Sequence, residues 1–284
     1  VSDGTILYMD EQSDTRKTLS DVNALLKDVS FDKPIRMRFS ARLDDKPFSL
    51  EGDIGPLGDT PGKGRVDIDL TAGAFDVVEV VMTGQITNAI SKPAYQISLT
   101  SNTFSPKELI KEIAPNAGIS PSDATVLERM SLQAKVSGDA RQVILSDGRV
   151  MLDDTTTTFQ VNVKDVSKPD IDWQVHADKI DLDRYLPKPQ PVEDKPTAAG
   201  GSGKEARPAE KEKTDYASFR TMETAGNLAI DELKAKGATV REIVMKVTGS
   251  GGKFRIDPLS MTLYQGSIVA VSYTHLTLPT KRIV

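Results

Sequence analysis

The chain alternates apolar and polar residues over stretch after stretch, and no other feature constrains its fold as tightly. Met37, Phe39, Ala41 and Leu43 interleave with Arg36, Arg38, Ser40 and Arg42. Val66, Ile68 and Leu70 interleave with Arg65, Asp67, Asp69 and Thr71, and Tyr95, Ile97 and Leu99 with Gln96, Ser98 and Thr100. Phe159, Val161 and Val163, then Ile171, Trp173 and Val175, repeat the pattern against Gln160, Asn162, Lys164, Asp172, Gln174 and His176. Successive side chains of a strand point to opposite faces, so each run is a strand with one apolar and one wet face. That pattern predicts antiparallel sheets rather than doubly buried parallel ones.

Phe254 and Ile256 continue the theme, and Leu259, Met261 and Leu263 resume it out of phase after Pro258. Apolar residues stay on one face there only if the chain bends or bulges at Asp257-Pro258. Helical signals are few. Ser105-Pro106-Lys107-Glu108 combines an N-cap, a first-turn proline and a Glu at the third position, which predicts a helix through Leu109, Ile110 and Ile113, ending at Pro115. Ser120-Pro121-Ser122-Asp123 predicts a second short helix with Val126, Leu127 and Met130, and one turn is expected over 182–186. Residues 187–214 are rich in Pro, Gly, Ala and charge, with little to bury against their ordering entropy, and are expected to be a disordered linker. They separate a β region over 1–186, with its helices near 105–130, from a second over 215–270. An internal echo is also present. DGTILYMDE from Asp3 resembles DGRVMLDDT from Asp147, and a KDVS follows each, at Lys27 and Lys164. It suggests a stacked β unit used more than once.

Chemistry-bearing constellations are sparse. There is no cysteine, so disulfides, thiolate metal sites and a cysteine nucleophile are excluded. The two histidines are His176, on the polar side of a strand, and His275 near the end; neither supports a triad or a metal site. GSGGK at Gly249 fails the phosphate-loop pattern at Val247 and Phe254 and reads as a hairpin turn. Gly203-Lys204 fails it at Ala198 and Glu205, and Asp67-x-Asp69 departs from a calcium loop at Thr71-Ala72. Asp44-Asp45 and Asp153-Asp154 read as turns, and Trp173 as core or groove lining. A net charge of −5 argues against nucleic acid as a partner. No enzyme and no cofactor is expected.

One-sided strands must hide their apolar faces. Either sheets stack into a sandwich, or one sheet curls into a trough that meets an apolar ligand; alternation alone leaves both open. Exposing an acyl chain to water costs about 0.8 kcal/mol per CH₂, and a curled sheet supplies a sleeve against that cost.

Three segments sharpen the choice. Residues 226–237, GNLAIDELKAKG, are followed by an amphipathic strand and then by an ending in which Gly252, Phe254, Ile256, Asp257, Pro258, Leu259, Leu263, Tyr264 and Gly266 hold fixed places. KIDLDRYLP from Lys179 precedes the Pro-rich linker, and VSDGTILYMDE opens the chain. Together these resemble the AsmA family, whose relatives include bridge-like lipid-transfer proteins with a repeating β-groove. The resemblance implies a mainly β fold: a long curled antiparallel sheet forming an amphipathic groove. It also implies a non-enzymatic periplasmic segment of a protein anchored in the inner membrane by an N-terminal helix that this chain lacks. The implied partners are phospholipid or another acyl-chain lipid and envelope proteins, and the implied roles are outer-membrane lipid homeostasis and protein assembly. The expected lining is Phe39, Val66, Ile68, Leu70, Ile97, Leu99, Phe159, Val161, Val163, Ile171, Trp173, Val175, Phe254, Ile256, Leu259, Met261 and Leu263. The alternative is a structural, protein-binding β module of the envelope without lipid. Residues 271–284, VSYTHLTLPTKRIV, resemble translated sequencing-adapter read-through and are set apart from function.

Overall fold

The computed structural model describes residues 1–10, 15–60, 62–187, 222–264 and 266–275. They form one open sheet of 15 strands whose spatial order is the order of the chain. The strands are β1 (Gly4–Asp10), β2 (Thr15–Lys27), β3 (Ile35–Leu43), β4 (Lys46–Ile54), β5 (Arg65–Ala74), β6 (Val78–Thr87), β7 (Ala94–Ser101) and β8 (Met130–Asp139). They continue with β9 (Val143–Leu152), β10 (Thr155–Asp165), β11 (Asp170–Asp181), β12 (Glu223–Ala235), β13 (Ala238–Ser250), β14 (Lys253–Leu263) and β15 (Gly266–His275). Helix α1 (Pro106–Ile113) lies between β7 and β8, and the short α2 (Leu182–Tyr185) follows β11.

There is one layer. Among the described residues only eight apolar side chains are buried, and seven of these are strand residues such as Ala41, Val66, Leu70 and Ile243. Among the described residues no second sheet covers the first, so the sandwich is set aside and the open sheet stands. Alanines show how differently the faces are shielded. Ala41, Ala134 and Ala177, among large apolar neighbours, are 3–5% exposed. Ala94 and Ala225, on the opposite face, are exposed. On the apolar face neighbouring side chains cover one another over the middle strands, whereas at β2 Ala24 and Leu26, opposite Phe39 and Met37, are exposed.

The strands pair antiparallel throughout, with one correction to the expectation. β11 and β12 are parallel, Trp173 opposite Gly226 and Val175 opposite Leu228. Parallel neighbours need a long crossover, and residues 188–221, which hold most of the expected linker and lie outside the described residues, connect them. Both β regions thus belong to one sheet. The bend expected at Pro258 is present: the β14 register shifts between Ile256 and Leu259 against β15, and the Asp257-Pro258 bond is cis. β15 carries the pairing through to His275, so the start of the adapter-like tail is a strand.

α1 forms as its signals predict, with Ser105 Oγ accepting the Glu108 N–H at 3.3 Å. The second helix does not form: residues 120–129 are bends and turns. Side chains take the N–H groups that a helix would give to its own carbonyls. Thr125 N–H donates to Asp123 Oδ1 at 2.8 Å. Those of Leu127, Glu128 and Arg129 donate to the Asp153 carboxylate at 2.8, 3.1 and 3.1 Å. Val126 is thereby driven to full burial.

Asp153 is accordingly more than a turn residue. It also accepts the Tyr185 hydroxyl at 2.9 Å. Beside it Arg184 pairs with Asp123 at 2.7 Å and Asp154 at 3.1 Å, and Ser122 Oγ donates to the carbonyls of Asp183 and Arg184. Asp183 accepts the N–H groups of Lys236 and Gly237, in a turn whose φ values of 52° and 75° favour glycine at its second place. The DLDRYLP segment is therefore a clasp. It ties the β9–β10 turn and the 120–129 loop to the β12–β13 hairpin, and so fixes the strands on both sides of the parallel seam.

Candidate functional site

Directly paired residues in a sheet share a face, so the register can be followed from strand to strand. One row runs from β3 to β8 through Ile35, Ile54, Ile68, Gly84, Ile97 and Val136. It continues from β9 to β14 through Leu145, Val161, Trp173, Gly226, Val247 and Ile256. A parallel row joins Met37, Gly52, Leu70, Met82, Leu99 and Ala134. Past a bulge at Asp147-Gly148 it reads Phe159, Val175, Leu228, Met245 and Leu259. A third joins Val66 and Tyr95 to Val163, Ile171 and Phe254. At ~4.8 Å per strand, the first row is about 50 Å long.

The residues expected to line a groove lie on this face. Val66 and Leu70 are buried, and the others, from Phe39 through Met261 and Leu263, are half-buried. The alternation also left out members of the face: Ile54, Ile86, Val136, Leu145 and Val247 belong to it by register.

Glycines are the larger omission. Four aromatic residues stand directly opposite glycines: Tyr95 to Gly138, Phe159 to Gly148, Trp173 to Gly226, and Phe254 to Gly249. Each aromatic side chain lies over its glycine. A Cβ added at Gly226 would fall 2.2 Å from the Trp173 indole, and one at Gly148 2.5 Å from the Phe159 ring. At Gly249 it would meet Phe254 at 2.6 Å, and at Gly138 the Tyr95 hydroxyl at 2.9 Å. The Trp173 Nε1–H donates to Thr224 Oγ1 at 3.0 Å, and that hydroxyl donates to the Ile171 carbonyl at 3.1 Å. Over these glycines the aromatic side chains lie along the sheet instead of standing up from it, and the apolar face is low there.

The opposite face is a lattice of solvated pairs. Arg36–Asp53 and Arg38–Glu51 bridge β3 to β4 at 3.0 Å each. His176 Nε2 meets Asp231 at 2.9 Å across the seam. Shallow depressions of about 360 Å³ near Gln160 and Asp172, and about 760 Å³ near Arg65 and Gln96, open on this side. Among the described residues no three His, Cys, Asp or Glu side chains form a group that could hold a metal, and no helix is long and apolar enough to cross a membrane.

Fold and face together define a class: a β protein whose described residues form a single open sheet with one continuous apolar face. No protein-family model, curated protein or solved structure matches the chain.

Proposed function

We propose that the apolar face is a groove that holds the acyl chains of phospholipids. On this reading the chain is a non-enzymatic, periplasmic segment of an inner-membrane-anchored envelope protein, one that carries or stores lipid for the outer membrane. The observation that carries the proposal is the uncovered row from Ile35 to Ile256, unbroken across twelve strands. A face of that size left to water is costly at about 25 cal/mol per Å², and a hydrocarbon guest removes the cost on both partners. Its length of about 50 Å, at ~4.8 Å per strand, exceeds the ~30 Å core that two opposed acyl chains span in a bilayer. More than one lipid therefore fits end to end. The resemblance of the DLDRYLP and IDPL segments to AsmA proteins points the same way.

The test is lipid extraction and mass spectrometry of the protein purified from a diderm bacterium without detergent. Co-purifying phospholipid is expected. Trp173 is the only tryptophan and sits in the floor, so phospholipids brominated along the acyl chain should quench its emission on binding. Lipid-free protein whose emission those lipids leave unchanged would exclude the groove and leave a scaffold that binds proteins.

A further inference from the structure

Three loops on one rim of the sheet repeat a four-residue motif. Phe31-Asp32-Lys33-Pro34, Ile90-Ser91-Lys92-Pro93 and Val166-Ser167-Lys168-Pro169 each read apolar, polar, lysine, proline. They lead into β3, β7 and β11, which are every fourth strand. At ~4.8 Å per strand their tips stand about 19 Å apart. The proline suits the start of a strand, where its fixed φ fits and no N–H is required. Strand geometry gives no reason for the other two positions, though the Ile90 side chain also lies over Gly62, where an added Cβ would meet its Cδ1 at 2.2 Å.

The three apolar side chains are 58%, 79% and 48% exposed, and Val29 in the first loop is 70% exposed. The three lysines are exposed. Among the described residues Lys33 and Lys92 form no ion pair, and Lys168 reaches Glu223 only at 3.9 Å. The carboxylate inside the first motif, Asp32, is turned onto Ser30 Oγ. The tips are held by backbone hydrogen bonds: Gly58 N–H to the Phe31 carbonyl at 2.7 Å, Ile90 N–H to that of Gly62 at 3.2 Å, and Val166 N–H to that of Arg141 at 2.9 Å. A lone exposed apolar residue needs no explanation. Three, each two residues from an exposed lysine and all along one rim, do.

That pairing matches a lipid–water interface. An apolar tip enters the acyl boundary while the neighbouring ammonium stays at the phosphates, its stem lying along hydrocarbon. Both rims carry carboxylates, Asp28, Asp59, Asp139 and Asp165 on this one and Asp44, Asp45, Asp76, Asp153 and Asp154 on the other, and the opposite rim has exposed apolar residues of its own, Ile113, Ile119 and Tyr264. What sets this rim apart is the repeated pairing of an exposed apolar tip with a lysine two residues on. We propose that the rim bearing Phe31, Ile90 and Val166 docks on an anionic phospholipid bilayer. The rim runs the length of the groove, so docking lays the open face beside the membrane. The contact does not depend on lipid occupying the groove.

The test is co-sedimentation of the whole chain with vesicles of phosphatidylcholine, with and without phosphatidylglycerol. Binding should appear with the anionic vesicles and fall as salt rises. A Lys33→Gln/Lys92→Gln/Lys168→Gln variant should lose about fivefold per lysine, roughly a hundredfold together, and a Phe31→Ser/Ile90→Ser/Val166→Ser variant should weaken as well. Lys46→Gln/Lys111→Gln/Lys236→Gln on the opposite rim should bind as the parent does. Equal sedimentation of the parent with neutral vesicles overturns the proposal. So does parent-like binding by the lysine variant, or a greater loss from the opposite rim.

Discussion

The units β7–β10 and β11–β14 have the same floor and different strand directions. In each, the first strand lays an aromatic side chain over a glycine of the second, Tyr95 on Gly138 and Trp173 on Gly226. The fourth lays a phenylalanine over a glycine of the third, Phe159 on Gly148 and Phe254 on Gly249. In each, the third strand bulges at an acidic residue of positive φ, Asp147 at 51° and Glu242 at 52°. Yet the second strand is antiparallel to the first in one unit and parallel in the other. Alternation fixes which side chains share a face whatever the direction of the strand, so an apolar floor survives a reversal that the hydrogen-bond ladder must accommodate. The cost of the reversal is topological, a crossover in place of a short connection. What holds the second unit in register is the clasp around α2.

Breaking the clasp should therefore have the largest effect. Asp153→Ala leaves the N–H groups of Leu127, Glu128 and Arg129 and the Tyr185 hydroxyl without their acceptor. Stranded, partly buried donors cost about 1–3 kcal/mol each where water cannot replace the partner; with some rehydration, a loss of about 3 kcal/mol is expected. Urea unfolding should show it, and hydrogen exchange should show lost protection in β12 as well as β8. Loss confined to β8 would mean that the seam is held without the clasp.

Filling the glycines separates the two units. Gly226→Val drives its side chain into the Trp173 ring, and Gly148→Val into that of Phe159. Overpacking of this kind costs about 1–3 kcal/mol, and the displaced ring must rise into the trough. Lipid occupancy should fall in both variants, but only Gly226→Val should shift tryptophan emission, because Trp173 is the sole tryptophan. Unchanged occupancy in both, with folding intact, would mean that the low floor does not matter for lipid.

These pairs mark the limit of what was legible. Alternation at Val66 to Leu70 or Ile171 to Val175 reports which residues share a face, because period two is a local property. It cannot report that Gly226 lies under Trp173, some fifty residues away across a parallel seam, since register between distant strands is absent from any local window. One of the four pairs was within reach: Gly249 and Phe254 flank the Ser250–Lys253 turn symmetrically. The failed helix at Ser120 has a related cause. Its capping signals are genuine, but their competitor is the carboxylate of Asp153, which only the fold brings near. The echo between Asp3 and Asp147 has a counterpart in the strands, since DG and KDVS fall at β1–β2 and β9–β10, eight strands apart.

The clasp should also respond to pH at both ends of the range. Burial, the hydrogen bond to Asp153 and its charge push the Tyr185 phenol up to about 12. A folded-state pKa above the ordinary value of about 10 stabilises below that pH, and the contribution is lost as pH rises toward 12. Burial acts to raise the pKa of Asp153, but the N–H groups of Leu127, Arg129 and Glu128 and the Tyr185 hydroxyl outweigh it and hold the carboxyl below its usual range. That contribution is present above a pH of about 4 and fades as pH falls further. Tyr185→Phe should remove the alkaline limb and cost about 1.5 kcal/mol at neutral pH, the value of a hydrogen bond to a charged partner. Melting temperatures of parent and variant between pH 9 and 12 decide the matter; an identical alkaline decline in both would assign it to other groups.

The smallest effect expected is at the seam itself. Thr224 Oγ1 accepts from Trp173 Nε1 and donates to the Ile171 carbonyl, so one hydroxyl pins the indole flat and links β12 to β11. Thr224→Val keeps the shape and removes both bonds. With the indole N–H half-buried and free to find water, the loss should be about 0.5–1 kcal/mol. The corresponding tyrosine of the other unit, Tyr95, has no such tether among its described hydrogen bonds; its hydroxyl reaches over Gly138, where the Gln142 carbonyl makes the tighter contact. Freed of the tether, Trp173 should show a red-shifted, less anisotropic emission while stability barely changes. An indole that stays rigid without the hydroxyl would show that Gly226 alone keeps the ring down, which would make the two units alike in mechanism as well as in pattern.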